Sequence, residues 1–245
     1  MKILIRITLL LSAHCAIFAD SPPLIPVHVA IISERPEAIE AFTDENIAWI
    51  AQNLNEEFRS GNGELQARFE IRHRTDLAVA RDSGSLLFGI EDQKILHTGI
   101  RNAIKDPLFR PDMINIFVFY SNRGKMTSNG GNYCAHRTRA GNKTTDCYAW
   151  VLLDWQALQK RNSRVLLHET GHVFSLKHVL ALNSDKNSPD NNVMTAEKNP
   201  PPVALPEGES GYYFTPSQVE MLRTKMEMLM ATFARAAAGE QLIGR

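Results

Sequence analysis

The chain has 245 residues, 44% hydrophobic and 22% charged, enough for one good-sized core or two small ones. Its 27 basic and 27 acidic residues cancel, which leaves no single-sign field to draw in phosphates. Composition therefore argues against a nucleic-acid binder or a membrane-surface binder.

The first residues stand apart. Lys2 and Arg6 flank and interrupt an apolar run, Ile3 to Ala19, that ends in Ala16-Ile17-Phe18-Ala19 before Asp20 and Ser21-Pro22-Pro23. A basic start, a short apolar stretch and a small residue before a polar one predict a secretory signal over residues 1–19, cut after Ala19. The run is too short and too interrupted for a stable membrane span. A lipoprotein reading would use Cys15, but His14 is a poor neighbour for a lipidated cysteine. A secreted or periplasmic protein is expected, its mature chain starting almost directly at the first strand without a large pro-segment. Removal of the signal leaves Cys134 and Cys147, which an oxidising compartment would join as a disulfide. The alternative is two buried free thiols, while the clustered spacing of a cysteine metal site is missing.

Pro26 to Ile32 reads as a strand, with Val27, Val29 and Ile31 on one face. Thr43 then caps a helix whose apolar positions are Ile47, Ile50, Leu54 and Phe58. After the turn Gly61-Asn62-Gly63, the alternation of Leu65, Ala67, Phe69 and Ile71 predicts a half-buried strand. Asp92 caps a second helix, expected to run through Ile104. Ile114 to Tyr120 is a β-branched and aromatic run suited to a central strand covered on both faces. This strand–helix alternation predicts an α/β (α+β) domain with a largely parallel sheet.

A Gly/Asn-rich segment, Ser128 to Asn132, leads into a short strand from Asn132 to His136. Ala140 to Thr145 reads as a turn and Tyr148 to Trp155 as a further strand. Asn162 or Ser163 opens the next helix. Asn183 to Asn192 is a polar loop, and Asn199 to Gly211 is rich in proline and glycine. In the last helix Thr215 is the cap, Pro216 the first residue and Gln218 the capping-box partner. Its apolar face is Val219, Leu222, Met226, Leu229 and Phe233; Met221, Met228 and Met230 read as ordinary helix residues. Residues 20–245 are expected to form one catalytic domain, with an upper part to about 174 and a lower part over 175–245.

The chemistry lies in His168-Glu169-Thr170-Gly171-His172-Val173-Phe174-Ser175-Leu176-Lys177-His178. On a helix, His168 and His172 share one face and can grip one zinc ion, and Glu169 can reach a zinc-bound water. His178 as third ligand leaves one coordination position open, as hydrolysis requires. A continuing helix would carry His178 away, so the chain must turn near Ser175. In this composition His-Glu-x-x-His arises by chance in roughly one chain in sixty, and with the later histidine in about one in two thousand.

The segment resembles the metzincin clan of zinc endopeptidases, whose signature is His-Glu-x-x-His-x-x-Gly-x-x-His. Asn192-Val193-Met194-Thr195 is similar to the clan's methionine turn. Val151-Leu152-Leu153-Asp154-Trp155 and Phe214-Thr215-Pro216-Ser217-Gln218 look like the pappalysin-type branch. The resemblance covers the chain from about Ile114 onward. It implies a metzincin-like catalytic domain: a twisted, mostly parallel sheet, an antiparallel edge strand, an active-site helix and a C-terminal helix. It further implies one catalytic Zn2+ on His168, His172 and His178, Glu169 as general base, Met194 packed beneath the imidazoles, and a protein or peptide substrate laid along the edge strand, for which Gly131, Asn132 and Tyr133 are the candidates. A monomer is the expected state. One departure stands out: the clan's glycine is Ser175 here, and a serine in a left-handed conformation costs about 1–2 kcal/mol.

Weaker signals are weighed beside these. His136 could border the cleft or be a surface histidine, and Tyr212 or Tyr213 could line the substrate side or pack in the core. Asn142-Lys143-Thr144 fits a glycosylation acceptor. Asp185 and Asp190 could hold calcium but lack a calcium-loop spacing. Two rival readings remain open: a zinc protease using Glu197 as third ligand, and a secreted binding module with an idle or structural zinc.

Overall fold

A computed structural model describes residues 21–100, 102–122, 126–139, 142–178, 192–195 and 214–243. The segment expected as an export signal, residues 1–19, and Asp185, Asp190, Glu197, Tyr212 and Tyr213 lie outside the described residues. Five strands form one sheet in the order β2-β1-β3-β5-β4: β1 (Leu24–Ile31), β2 (Arg68–Thr75), β3 (Ile114–Phe119), β4 (Asn129–Arg139) and β5 (Asn142–Asp154). The pairs β1–β2, β1–β3 and β3–β5 are parallel, and β4 lies antiparallel to β5 at one edge. This is the mixed α/β architecture expected, edge strand included.

The sheet separates two apolar layers. Val27, Val29, Ile116, Val118, Val151 and Leu153 face one layer, shared with α2 (Asp44–Glu57), α6 (Ser163–Val173) and α7 (Pro216–Ala237). Ala30, Phe117, Phe119, Tyr148, Trp150 and Leu152 face the other, which is covered by α4 (Gln93–Gly99) and the chain beyond it. Every residue of β3 is buried, as a strand covered on both faces must be. The caps form as expected: Thr43 accepts from the Asn46 amide, Asp92 from Lys94 and Ile95, and Thr215 with Gln218 completes a capping box.

Several boundaries differ. The helix after Asp92 stops at Gly99 and tightens into a 3-10 turn, Ala103–Lys105. The amides of Asn102 and Ala103 there reach back three residues, to Gly99 and Ile100, since glycine is a poor helix former and a tight turn re-satisfies the freed groups. The strands expected over Asn132 to His136 and Tyr148 to Trp155 belong to longer ones, and most of the polar stretch expected as a turn belongs to β5. That stretch pairs through its backbone while Lys143 and Thr144 face solvent. Trp155 opens α5 (Trp155–Gln159) because the Asp154 side chain caps it through the Gln156 amide. Helices α1 (Pro36–Ala41) and α3 (Leu77–Asp82) are additions to the expected list.

Cys134 and Cys147 form a disulfide between directly paired positions of β4 and β5, with their Cα atoms 4.1 Å apart. Among the described residues, no helix is long and apolar enough to cross a membrane.

Candidate metal centre

Helix α6 starts on the Asn162 side chain, which accepts from the Val165 amide, and Asn53 of α2 donates to the first residue, Ser163. The helix lies against the sheet with Leu166, Leu167 and Val173 buried. His168 is buried, His172 is half-buried, and both lie on one face, four residues apart.

The helix ends at Val173, and Ser175 adopts φ +64°. The Ser175 amide donates to the His172 carbonyl and the Leu176 amide to the Gly171 carbonyl. These are the paired bonds of a Schellman ending with its left-handed residue at the usual glycine position. The turn expected near Ser175 therefore forms, and it brings His178 back onto the face of His168 and His172.

Three imidazole nitrogens converge there. His168 Nε2 lies 2.9 Å from His178 Nε2 and 3.2 Å from His172 Nε2, and the His172–His178 separation is 3.0 Å. Three nitrogens bound tetrahedrally to zinc would lie roughly 3.3 Å apart. The other ring nitrogens are committed. His168 Nδ1 donates to the Val193 carbonyl at 2.8 Å, and His172 Nδ1 to the Leu176 carbonyl at 2.7 Å. In the neutral rings those bonds place the protons on Nδ1, so the Nε2 atoms of His168 and His172 face each other as bare lone pairs. A cation between them converts that repulsion into ligation, and carbonyl bonds of this kind orient metal-bound histidines. Burial, ahead of the neighbouring histidines, depresses the pKa of His168 to about 4; burial also lowers His172. Both rings are thus neutral, as a metal ligand must be, at physiological pH. The donor set fits a divalent metal ion, and His168, His172 and His178 form one potential metal-holding group.

Met194 is fully buried under α6. A Cβ added at Gly171, between the two helical histidines, would overlap Met194 Sδ and lie 3.4 Å from its Cε. Asn192 shapes this turn: its side chain accepts from the Met194 amide at 2.8 Å and donates to Gln218 Oε1 at 3.0 Å. Gln218 also accepts from the Thr215 amide at 2.8 Å, so the capping residue of α7 braces the methionine turn. Phe214 joins Phe58, which also packs on Phe69 and Phe174, in an aromatic group below.

Glu169 is buried on α6 beside His168. Gly130 of β4 lies against the Glu169 backbone: a Cβ there would overlap its carbonyl oxygen and come within 2.6 Å of its carbonyl carbon. Of the edge-strand candidates, Gly131 packs by Trp150, Tyr133 is exposed, and Asn132 turns its carboxamide toward the end of α6. His136 is exposed and bonds Thr145 across the hairpin, the surface role. Gly130 and Gln218 escape reading as site residues from sequence, where only the Gly/Asn-rich composition of Ser128 to Asn132 and the capping box mark them. Asn192 reads as part of the methionine turn, but nothing in the sequence marks its bond to Gln218.

No family model and no curated protein sequence matches the chain. Among solved structures, mirolysin in complex with compound 9 is similar with a TM-score of 0.48 and 15% identity, covering 87% of this chain and 98% of that one.

Proposed function

We propose that this chain is a secreted, zinc-dependent endopeptidase of the metzincin type, with His168, His172 and His178 holding the metal and Glu169 as general base. The observation that carries the reading is the convergence of three Nε2 atoms, two of them stripped of protons by carbonyl bonds on the far side of the ring. Zinc held by His168, His172 and His178 would supply Lewis-acid chemistry to the substrate carbonyl and to water.

The chain's own groups do the rest. The Val193 and Leu176 carbonyls fix the tautomer and tilt of the two helical imidazoles. Met194 fills the space beneath them and needs no bond to the metal. Glu169 takes a proton from water as its oxygen attacks the carbonyl carbon, then delivers that proton to the leaving amine as the C–N bond breaks. Edge strand β4 offers backbone groups to an extended peptide, which would bind as an added strand over Gly131, Asn132 and Tyr133. The pappalysin-type branch rests on residues 151–155 and 214–218, and a monomer acting on protein or peptide remains the proposed state.

The approach of His178 Nε2 to the Nε2 atoms of His168 and His172 supports it as the third ligand. Replacement of the clan's glycine by Ser175 would favour an idle-zinc module if it blocked the turn, and the turn is formed. Metal analysis and peptide-library cleavage, comparing wild type with Glu169→Ala, test the proposal. Wild type should carry about one zinc and cleave in a chelator-sensitive way. The variant should keep its zinc and lose at least a hundredfold in kcat/KM. Zinc-loaded wild type without chelator-sensitive cleavage would sink the peptidase reading in favour of a binding module.

A further inference from the structure

The clan's signature has glycine where this chain has Ser175, and φ +64° is a conformation a serine reaches only under constraint. Among the described residues, Arg161 is the other non-glycine residue with positive φ. A constraint is visible. Asn132 Nδ2 lies 2.8 Å from Ser175 Oγ, 2.8 Å from the Val173 carbonyl and 3.3 Å from the His172 carbonyl. The two hydrogens of one carboxamide are spent on the hydroxyl at the left-handed position and on the Val173 carbonyl, which the helix end leaves in need of a donor, while the His172 carbonyl already accepts the Ser175 amide. Asn132 reaches them because Gly130, two residues earlier on the same face of β4, lets that strand lie directly on the α6 backbone.

We propose that Asn132 and Ser175 form a positioning pair: the carboxamide, anchored on the edge strand, holds the Ser175 hydroxyl and the end of α6 so that the left-handed turn delivers His178 to the metal. The inference rests on the metal-centre reading above. The pair does with a side-chain hydrogen bond what glycine does by conformational freedom. Ser175→Gly therefore removes the need for Asn132 to hold the hydroxyl. Ser175→Ala keeps the strained backbone and deletes the bond that stabilises it.

The test is zinc affinity by chelator competition, with the visible spectrum of the cobalt-substituted protein reporting coordination geometry. Asn132→Ala is expected to weaken zinc binding at least tenfold in the wild-type background and less than threefold in Ser175→Gly, and to shift the cobalt spectrum toward that of His178→Ala. Equal losses in both backgrounds, or no loss in either, would overturn the pair. Should Asn132→Ala fail to fold by circular dichroism, Ser175→Ala decides: a comparable loss supports the pair and an unchanged affinity removes it. His178→Ala separates this inference from its premise. If it binds zinc as tightly as wild type, the three-histidine centre falls and the pair with it. If His178→Ala binds weakly while Asn132→Ala matches wild type, only the pair falls.

Discussion

Two glycines show how little room the centre leaves, and they should respond differently to one added methyl. At Gly130 the methyl meets the Glu169 carbonyl, a backbone group inside a helix that cannot step aside. At Gly171 it meets the Met194 thioether, near the end of a flexible side chain, and alanine in the last turn of α6 regains part of the roughly 1 kcal/mol of helix propensity that glycine forgoes. Gly130→Ala is therefore expected to cost about 3 kcal/mol, and Gly171→Ala roughly 1 kcal/mol or less after that offset. Urea unfolding of the metal-free proteins measures both. Equal costs would show that the strand–helix contact yields as easily as a methionine. The candidate histidines are marked by a spacing that local geometry converts into a shared face. Gly130 announces nothing and Asn132 reads only as an edge-strand position, because their partners lie some 40 residues away and depend on β4 being the strand beside α6.

Among elements, β1, β2 and β3 meet in a polar knot on the side of the sheet away from the three histidines. His28 on β1 is buried, its Nδ1 facing Asn115 Oδ1 at 3.1 Å and its Nε2 facing Thr75 Oγ at 2.9 Å. Asn115 Oδ1 also accepts the Arg110 amide, so it acts as acceptor to His28 Nδ1, and Thr75 donates to Nε2. Both nitrogens are satisfied in the neutral ring. Burial, opposed by the Asn115 bond and reinforced by His73 and Arg110 against the weaker pull of Asp112, depresses the His28 pKa from 6.5 to about 4. The folded pKa lies below the unfolded one, so the unfolded chain gains its proton first as pH falls. The stability tied to neutral His28 is complete above pH 6.5 and is lost down to about pH 4, a total of about 3 kcal/mol. Comparing wild type with His28→Gln in chelator should show a steeper decline for wild type across that window. Parallel profiles would refute the assignment. Legibility from sequence follows element length. Helices α2, α6 and α7 span 11 to 22 residues, long enough for periodicity and a cap to appear together. Helices α1, α3 and α5 have 5 or 6 residues, less than two turns, and show no period. The β4–β5 hairpin was only half legible because its far end is held by backbone pairing while its side chains face water.

Across the whole molecule, the centre joins three stretches of chain that the sheet does not itself unite. Helix α6 brings His168 and His172, the turn after it brings His178, and the methionine turn is tied to His168 through the Val193 carbonyl and to α7 through Gln218. A metal at the three Nε2 atoms would close this circuit, so its binding energy becomes folding energy for the part of the molecule below the sheet. With metal at a thousand times its Kd the gain is about 4 kcal/mol, and at roughly 2–4 °C per kcal/mol for a chain of this size chelation should lower Tm by about 10 °C. The loss should be local. Strands β1 and β3, whose side chains apart from Leu24 are buried, are expected to hold their hydrogen bonds without the metal. Hydrogen exchange after chelation is thus expected to quicken at residues 174–178, 192–195 and 214–218 and to stay unchanged in β1 and β3. His178→Ala should erase most of the metal-dependent shift in Tm. Uniform acceleration through the sheet would mean that the metal supports the entire fold, and an unchanged Tm would mean that the three histidines hold no structural ion.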